Sequence, residues 1–221
     1  GADIVVNSTS KYINANSSAI SGVITDGGKF KWDTEKYPGM KNFKKFGPFA
    51  YTAKLRNGLF RNTGACLSPQ NAFYNSIGME TLGLRMERVC DNAKTLAQFF
   101  ATEYSDIEVN YPGLAGSKWH NIATEQFGDK FGGIITIRTG NKKRAFGIID
   151  ALKLPLIVSN IGDTKTLVIH PESTLNVHST QEEKETAGVF DDLIRISVGI
   201  EDIEDLIDDF KQAIESVKDV Y

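Results

Sequence analysis

In the first part of the chain, the pattern of hydrophobic residues indicates two segments of different kinds. Two apolar, β-branched runs, at about residues 3–6 and 19–25, predict a pair of strands near the start. Residues 27–58 follow, rich in glycine, lysine and proline, with scattered aromatic residues and no clean period. This composition, without a clear period, predicts a long ordered loop with short helical pieces. Loops of such length in compact domains tend to be functional.

A long helix is predicted next. Ser68 and Pro69 supply a preferred N-cap residue and a proline at the first helical position. Apolar residues then recur at helical spacing from about residue 69 to about residue 102, and Gly78 and Gly83 would permit bends. We expect a helix of this length to connect two domains or two layers.

The last part of the chain alternates between short strand patterns and helical patterns. The predicted strands are 107–111, 133–138, 156–159 and 194–198, and the predicted helices are 119–127, 144–153, 180–187 and a terminal amphipathic helix over 203–217. This alternation predicts an α/β layout for residues 106–221, with a small sheet and helices on one side.

Composition excludes several classes of protein. A net charge of −3 and no dense basic run argue against nucleic-acid binding, and no apolar stretch is long enough to cross a bilayer. Cys66 and Cys90 lack a paired motif, so we expect both to be buried small hydrophobes in a reduced, cytoplasmic protein. The three histidines show no metal-type spacing, so no metal site is expected.

Lys11 is the first candidate for chemistry. It follows the first strand in the stretch STSKY, with Ser8 and Ser10 close before it. A lysine amine is a nucleophile only when it is neutral, and it can also capture a carbonyl as a Schiff base. Two hydroxyls beside such a lysine suit a phosphate, so the combination points to pyridoxal phosphate. The alternative left open by the residues alone is a structural lysine at a strand end.

Arg195 is the second candidate. It stands within DLIRISVGIEDIEDL, on an apolar strand where a solvated arginine would be unusual. A guanidinium binds a carboxylate through two parallel hydrogen bonds, as an amino-acid substrate would require. The alternative is a structural ion pair with one of the nearby acids.

Four segments, taken in order, resemble one enzyme family. They are GADIVVNSTSKYI, TGACLSPQNAFYNSIGMETLGLRMERVCDNA, SNIGDTKTLVIHPESTLNVHS and DLIRISVGIEDIEDLIDDFKQAI. Over essentially the whole chain they resemble the pyridoxal-phosphate enzymes of cysteine and methionine metabolism, the transsulfuration group. The second segment, preceded by an extended aromatic loop, favours the O-acetylhomoserine sulfhydrylase branch over the cystathionine synthases and lyases.

The resemblance assigns roles to matching positions. Lys11 matches the lysine that forms the Schiff base with the cofactor, and Ser8 and Ser10 match the hydroxylic positions that hold the cofactor phosphate. Arg195 matches the arginine that binds the substrate α-carboxylate, and Asn160, in SNIGD, matches the position that assists at that carboxylate.

The resemblance also implies a fold and a division into domains. The implied fold is the aspartate-aminotransferase-like fold type I of pyridoxal-phosphate-dependent transferases. Residues 1–65 would be the end of the large cofactor domain, 66–105 the linking helix, and 106–221 the small C-terminal α/β domain. Family members are much longer, so we expect this chain to correspond to their second half. One departure concerns the loop after the lysine, where the family often has Gly-Gly-His-Gly-Asp and this chain has NANSS at 14–18.

The implied reaction is γ-replacement on O-acetyl-L-homoserine by sulfide or a thiol, giving homocysteine or methionine plus acetate. The implied partners are these two substrates and further copies of the same chain, as a dimer or tetramer, with no nucleic acid and no membrane. The alternatives are a cystathionine γ-synthase, cystathionine γ-lyase or methionine γ-lyase of the same family. An alternative of another class is a non-catalytic folded fragment or binding module, and we expect the chain by itself to be inactive.

Overall fold

In the computed structural model, which describes residues 1–217, the chain forms two compact units. The first comprises Gly1–Ser10 and Ser18–Ile77, and the second comprises Lys11–Ser17 and the chain from Gly78 onward. The short turn that carries Lys11 therefore belongs to the same unit as the C-terminal part of the chain.

The strands and helices follow the predicted order. The strands are β1 (Ile4–Ser8), β2 (Gly22–Asp26), β3 (Glu108–Asn110), β4 (Ile134–Arg138), β5 (Leu156–Ile157), β6 (Leu167–Ile169) and β7 (Leu193–Ser197). The α-helices are α1 (Ala50–Lys54), α2 (Arg61–Thr63), α3 (Pro69–Glu80), α4 (Leu82–Glu103), α5 (His120–Phe127), α6 (Lys142–Ala151), α7 (Gln181–Thr186) and α8 (Ile203–Ser216). Two 3-10 segments, Pro38–Met40 and Lys44–Phe49, and a π-helical segment, Leu55–Phe60, complete the set.

The first unit is built around an antiparallel hairpin of β1 and β2, with Val6 opposite Ile24. This confirms the predicted strand pair. Neighbouring side chains of a strand point to opposite faces of a sheet. Val5 is 41% exposed and its neighbour Val6 is 70% exposed, so both faces of the hairpin present apolar side chains to the surroundings.

Short helical pieces and an aromatic cluster order the segment after the hairpin. Trp32 lies at the centre of the cluster, stacked on Tyr51 at 5.8 Å between ring centroids and edge-on to Phe30 at 4.6 Å. The prediction of a long ordered loop with short helical pieces is confirmed. Cys66, at the end of this region, is exposed, so the prediction that both cysteines are buried is right for Cys90 and wrong for Cys66.

The predicted long helix is interrupted once. Thr81 separates α3 from α4, with φ of −108° and ψ of 6°, outside the helical range. The break falls between Gly78 and Gly83, the two residues expected to permit bends. Because a break reorients the chain, the carbonyls of the last turn of α3 need partners outside their own helix.

A five-stranded sheet forms the centre of the second unit, in the order β3-β4-β7-β6-β5. All neighbouring pairs are antiparallel except β5 with β6. Strand β6 was not predicted from the sequence. It borders β7 and places Ile169 opposite Arg195, while Thr136 of β4 is opposite Arg195 on the other side.

Helices α4, α6 and α8 pack against one face of this sheet. The fully buried side chains at this contact belong to one apolar cluster that includes Phe100, Ile135, Ile148, Ile196 and Phe210. Phe100 of α4 meets Phe210 of α8 edge to face at 5.2 Å. No helix among residues 1–217 has the length and apolar character that crossing a bilayer requires.

Candidate active site

Lys11 lies in a tight turn of the second unit. Its carbonyl oxygen accepts hydrogen bonds from the backbone N–H of Asn14 (3.1 Å) and of Ala15 (3.3 Å), which closes the turn. Its Nζ donates a hydrogen bond to the side-chain oxygen Oδ1 of Asn160. The amine is therefore held at a defined place by a residue far along the chain.

Asn160 is itself fixed by a short series of hydrogen bonds. Its Nδ2 donates to the hydroxyl of Ser17 (2.7 Å), and that hydroxyl donates to Oδ2 of Asp163 (2.8 Å). A carboxylate only accepts, so the single hydroxyl proton of Ser17 goes to Asp163 and its oxygen accepts from Asn160. This order turns the amide oxygen of Asn160 toward Lys11.

Arg195 lies in the central strand β7 and meets Asn160 from the other side. Its Nη2 donates to the backbone oxygen of Asn160 at 3.2 Å. Its Nε is buried and has no hydrogen-bond partner among residues 1–217, and none of the ion pairs in that range includes it. Burial lowers the pKa of this guanidinium from its usual value. The structural ion pair weighed as an alternative is therefore absent from the described residues.

Tyr12, the residue after Lys11, packs against the loop of Asn160. Gly162 lies so close to it that a Cβ at this glycine would be 2.7 Å from the Tyr12 backbone nitrogen, and its φ is +75°. The N–H of Gly162 in turn donates to the hydroxyl of Ser197 at 3.0 Å. Burial raises the pKa of the Tyr12 phenol, so this side chain is neutral near neutral pH.

The two serines before Lys11 belong to the first unit. Ser8 ends β1 opposite Gly22 and is exposed. The hydroxyl of Ser10 accepts from the N–H of Ser21 (2.8 Å) and lies within hydrogen-bonding distance of the Ser21 carbonyl (3.2 Å). Ser10 therefore already has a role in ordering the hairpin end.

Within the second unit, the structure brings together three of the predicted site residues: Lys11, Asn160 and Arg195. Sequence reasoning missed Ser17 and Asp163, which orient Asn160. The one available signal was the unusual loop NANSS, where the family often has Gly-Gly-His-Gly-Asp. Among residues 1–217, no group of three or more His, Cys, Asp and Glu side chains could hold a metal ion.

Comparison with known proteins agrees with the resemblance. The family model described as "Cys/Met metabolism PLP-dependent enzyme" matches residues 1–215. An O-acetyl-L-homoserine sulfhydrylase of Corynebacterium glutamicum is 39% identical over 96% of this chain and 52% of its own length. A homocysteine synthase of Schizosaccharomyces pombe is 38% identical over 97% of this chain and 53% of its own length. The chain spans about half the length of the curated relatives it matches.

A solved structure gives the same result for the fold. A crystal structure assigned to an O-acetylhomoserine (thiol)-lyase of Campylobacter jejuni matches with a TM-score of 0.89 and 33% identity, over 97% of this chain and 54% of that one. That structure contains a lysine converted to N'-pyridoxyl-lysine-5'-monophosphate. The fold is thus the C-terminal portion of a fold type I pyridoxal-phosphate-dependent transferase, as predicted. The chain belongs to the Cys/Met metabolism PLP-dependent enzyme family.

Proposed function

We propose that this chain supplies the cofactor-binding lysine and the carboxylate-binding arginine of an O-acetylhomoserine sulfhydrylase. The observation that carries the proposal is the position of Asn160. Its side-chain oxygen accepts from Lys11 and its backbone oxygen accepts from Arg195, so one residue brings an amine and a guanidinium to the same place. An amine that reacts with carbonyls, beside a guanidinium that binds carboxylates, is the pair that an amino-acid substrate requires.

Arg195 would bind the α-carboxylate of the substrate. Its Nε–H is buried and unpaired within the described residues, so a carboxylate oxygen would satisfy a donor that otherwise costs free energy. Its position in the middle of a paired strand restricts its movement. Asn160 would hold the same carboxylate from the side, and together the two residues would set the direction of the bonds at Cα.

The amine of Lys11, held by Asn160, and the buried, unpaired Nε of Arg195 fit pyridoxal phosphate carrying an amino acid, and this is the cofactor of the family. Lys11 would hold it through Nζ, and Ser8 and Ser10 would hold its phosphate, as their match to the family motif implies. When bound, the cofactor supplies a carbonyl that reacts with amines and a conjugated ring that stabilises negative charge at the substrate's Cα.

Lys11 would also move protons. Its Nζ, when free and neutral, would take one proton from Cα and one from Cβ of the substrate, and would later return one to each carbon. Acetate would leave from Cγ, and sulfide or a thiol would add there, giving homocysteine or methionine. Tyr12, neutral and packed against Gly162, would keep the turn in place during these steps.

The complete activity belongs to a protein of the family's full length. Because this chain covers about half of its relatives, we expect it to lack the reaction by itself and to act with the remaining half. We also propose that the complete enzyme is a dimer or tetramer of identical chains. The cytoplasmic location expected from the cysteine pattern stays a prediction.

The test is borohydride trapping of added pyridoxal phosphate, followed by peptide mapping, on a protein in which this chain is joined to the family's remaining half. We expect the label on Lys11, and its loss in Lys11→Ala together with a fall in homocysteine formation of at least about 100-fold. Lys165→Ala, which removes an exposed lysine from the loop of Asn160, is the matched control and should keep both.

Substrate kinetics separate the role of Arg195 from that of Lys11. Arg195→Lys keeps the charge but loses the two-pronged geometry, so KM for O-acetyl-L-homoserine should rise roughly 10- to 100-fold, as loss of a charged hydrogen bond implies. If Lys11 takes the label but the protein cleaves cystathionine or methionine instead of catalysing sulfhydrylation, the cofactor-binding role of Lys11 stands and O-acetyl-L-homoserine is rejected as the substrate. Absence of label on Lys11 would reject the proposal as a whole.

A further inference from the structure

The buried side chain of Arg85, near the start of α4, has no part in the chemistry proposed so far. The residue is 8% exposed, and burial lowers the pKa of its guanidinium. None of the ion pairs within residues 1–217 includes it. A buried cation without a carboxylate is costly to fold, so its hydrogen bonds must compensate in place of an ion pair.

Those hydrogen bonds converge on two pieces of backbone. Nη1 donates to the carbonyl oxygen of Tyr12 at 2.7 Å, and Nη2 donates to the carbonyl oxygen of Gly78 at 2.6 Å. Nε donates to the hydroxyl of Thr81 at 3.1 Å, at the break between α3 and α4. Gly78 lies in the last turn of α3, where carbonyl oxygens lack a partner within their helix and a cation is favourable.

The same two pieces of backbone also touch each other directly. A Cβ at Gly78 would lie 2.3 Å from the carbonyl oxygen of Ile13 and 2.8 Å from that of Asn14. Only a glycine permits this approach, because no real Cβ is found that close to a backbone atom. The turn after Lys11 is thus packed against the end of α3, and the guanidinium of Arg85 joins the two.

We propose that Arg85 is a positioning residue for Lys11: its guanidinium, with the glycine contact at Gly78, fixes the turn that carries the lysine. Lysine reaches its target through four flexible methylene groups, so its amine returns to one place only if its own backbone stays still. The Tyr12 carbonyl is one peptide away from Lys11, which makes it an effective point to fix. The catalytic part of this inference rests on the proposed function of Lys11, whereas the structural part does not.

The first measurement is amide hydrogen exchange in the 221-residue chain. Arg85→Met keeps the packing of the side-chain stem and removes all three hydrogen bonds, so exchange at the amides of Asn14 and Ala15, which close the Lys11 turn, should rise at least tenfold. In Arg85→Lys one ammonium replaces the planar guanidinium, so exchange at these two amides should lie between that of the unsubstituted chain and that of Arg85→Met. Gly78→Ala should raise exchange at the same amides by a different route, through the clash with Ile13.

Asn92 offers a matched control on the same helix. It lies seven residues after Arg85, is buried, and donates its side-chain N–H groups to the carbonyl oxygens of Gly199 and Glu201. Asn92→Ala therefore removes the same kind of interaction from α4 but leaves the Lys11 turn untouched. It should lower the melting temperature without raising exchange at the amides of Asn14 and Ala15.

The second measurement is steady-state kinetics in the full-length protein. A misplacement of about 1 Å can reduce a rate about 100-fold, so Arg85→Met should lower kcat roughly 10- to 100-fold while KM for O-acetyl-L-homoserine, which depends on Arg195, changes little. Asn92→Ala should leave kcat within about twofold of the unsubstituted protein at a temperature where both are folded.

The two measurements distinguish a failure of this inference from a failure of the proposed function. Unchanged exchange at Asn14 and Ala15 in Arg85→Met, or an equal rise in Asn92→Ala, overturns the inference even if Lys11 binds the cofactor. A rise confined to the Lys11 turn, with kcat unchanged, overturns the positioning role. If Lys11 takes no label in the trapping experiment, the proposed function fails, and the exchange data still decide whether Arg85 holds the turn.

Discussion

Replacement of Gly162 by alanine would test how closely the loop of Asn160 is packed on the Lys11 turn. Gly162 has φ of +75°, a conformation that costs a residue with a Cβ about 1–2 kcal/mol. The new Cβ would also lie 2.7 Å from the backbone nitrogen of Tyr12, and forcing an extra methyl into a well-packed site costs about 1–3 kcal/mol. We therefore expect Gly162→Ala to lower the free energy of unfolding of the second unit by about 2–5 kcal/mol.

Gly188→Ala separates the two causes. Gly188 has φ of +68° with no atom within 4 Å of the position of a Cβ, so it carries the backbone cost alone. The assay is urea unfolding followed by tryptophan fluorescence in a Trp32→Phe background, in which Trp119 reports on the second unit. If Gly162→Ala and Gly188→Ala lose the same free energy of unfolding, the contact with Tyr12 adds nothing to the cost of Gly162→Ala, and our account of this packing is refuted.

Three further predictions concern ion pairing, helix capping and thiol chemistry. Lys184 and Lys142 lower the pKa of Glu172 to about 2, so the ion pairs of Glu172 stabilise the fold above about pH 4.5 and are lost as pH falls toward 2. The difference in free energy of unfolding between the unsubstituted chain and Glu172→Gln should therefore vanish over that range. A difference that stays constant with pH would contradict this prediction. Asn141→Ala should cost about 1 kcal/mol in urea unfolding, because the side chain caps α6, and Asn141→Asp, which also caps, should recover most of the loss. A disulfide reagent should modify Cys66 in the folded chain and reach Cys90 only after unfolding, because Cys90 is buried and burial raises the pKa of its thiol; equal rates would show that Cys90 is accessible.

The local pattern of hydrophobic residues was sufficient to predict most of the helices and strands. The periodicity of α4 and α8 and the β-branched runs of β1 and β7 each reflect one buried face, so they are visible within a short window. Strand β6 was missed, since its three apolar residues owe their strand conformation to pairing with β7, which lies further along the chain. The break at Thr81 was anticipated only as a possible bend, because a helical pattern continues on both sides of it.

The candidate site was less accessible to pattern reasoning. Lys11 and Arg195 were found because their residue types are unusual in their surroundings. Asn160 entered only through family resemblance, since its contact with Lys11 spans 149 positions of the chain. Ser17 and Arg85 were not anticipated. Each is important because of its hydrogen-bond partners, and the sequence pattern does not show which residues those partners are.

The hairpin of β1 and β2 has a consequence for handling the isolated chain. A sheet of two strands leaves a free edge on each side, and the backbone N–H and C=O groups along such an edge can pair with a strand from another molecule. Natural edge strands discourage this with inward-pointing charges or proline, whereas β1 reads Ile-Val-Val-Asn-Ser and leaves Val6 70% exposed. We therefore expect light scattering from the isolated chain to rise steeply with its concentration, and Val6→Lys to suppress that rise without altering the second unit.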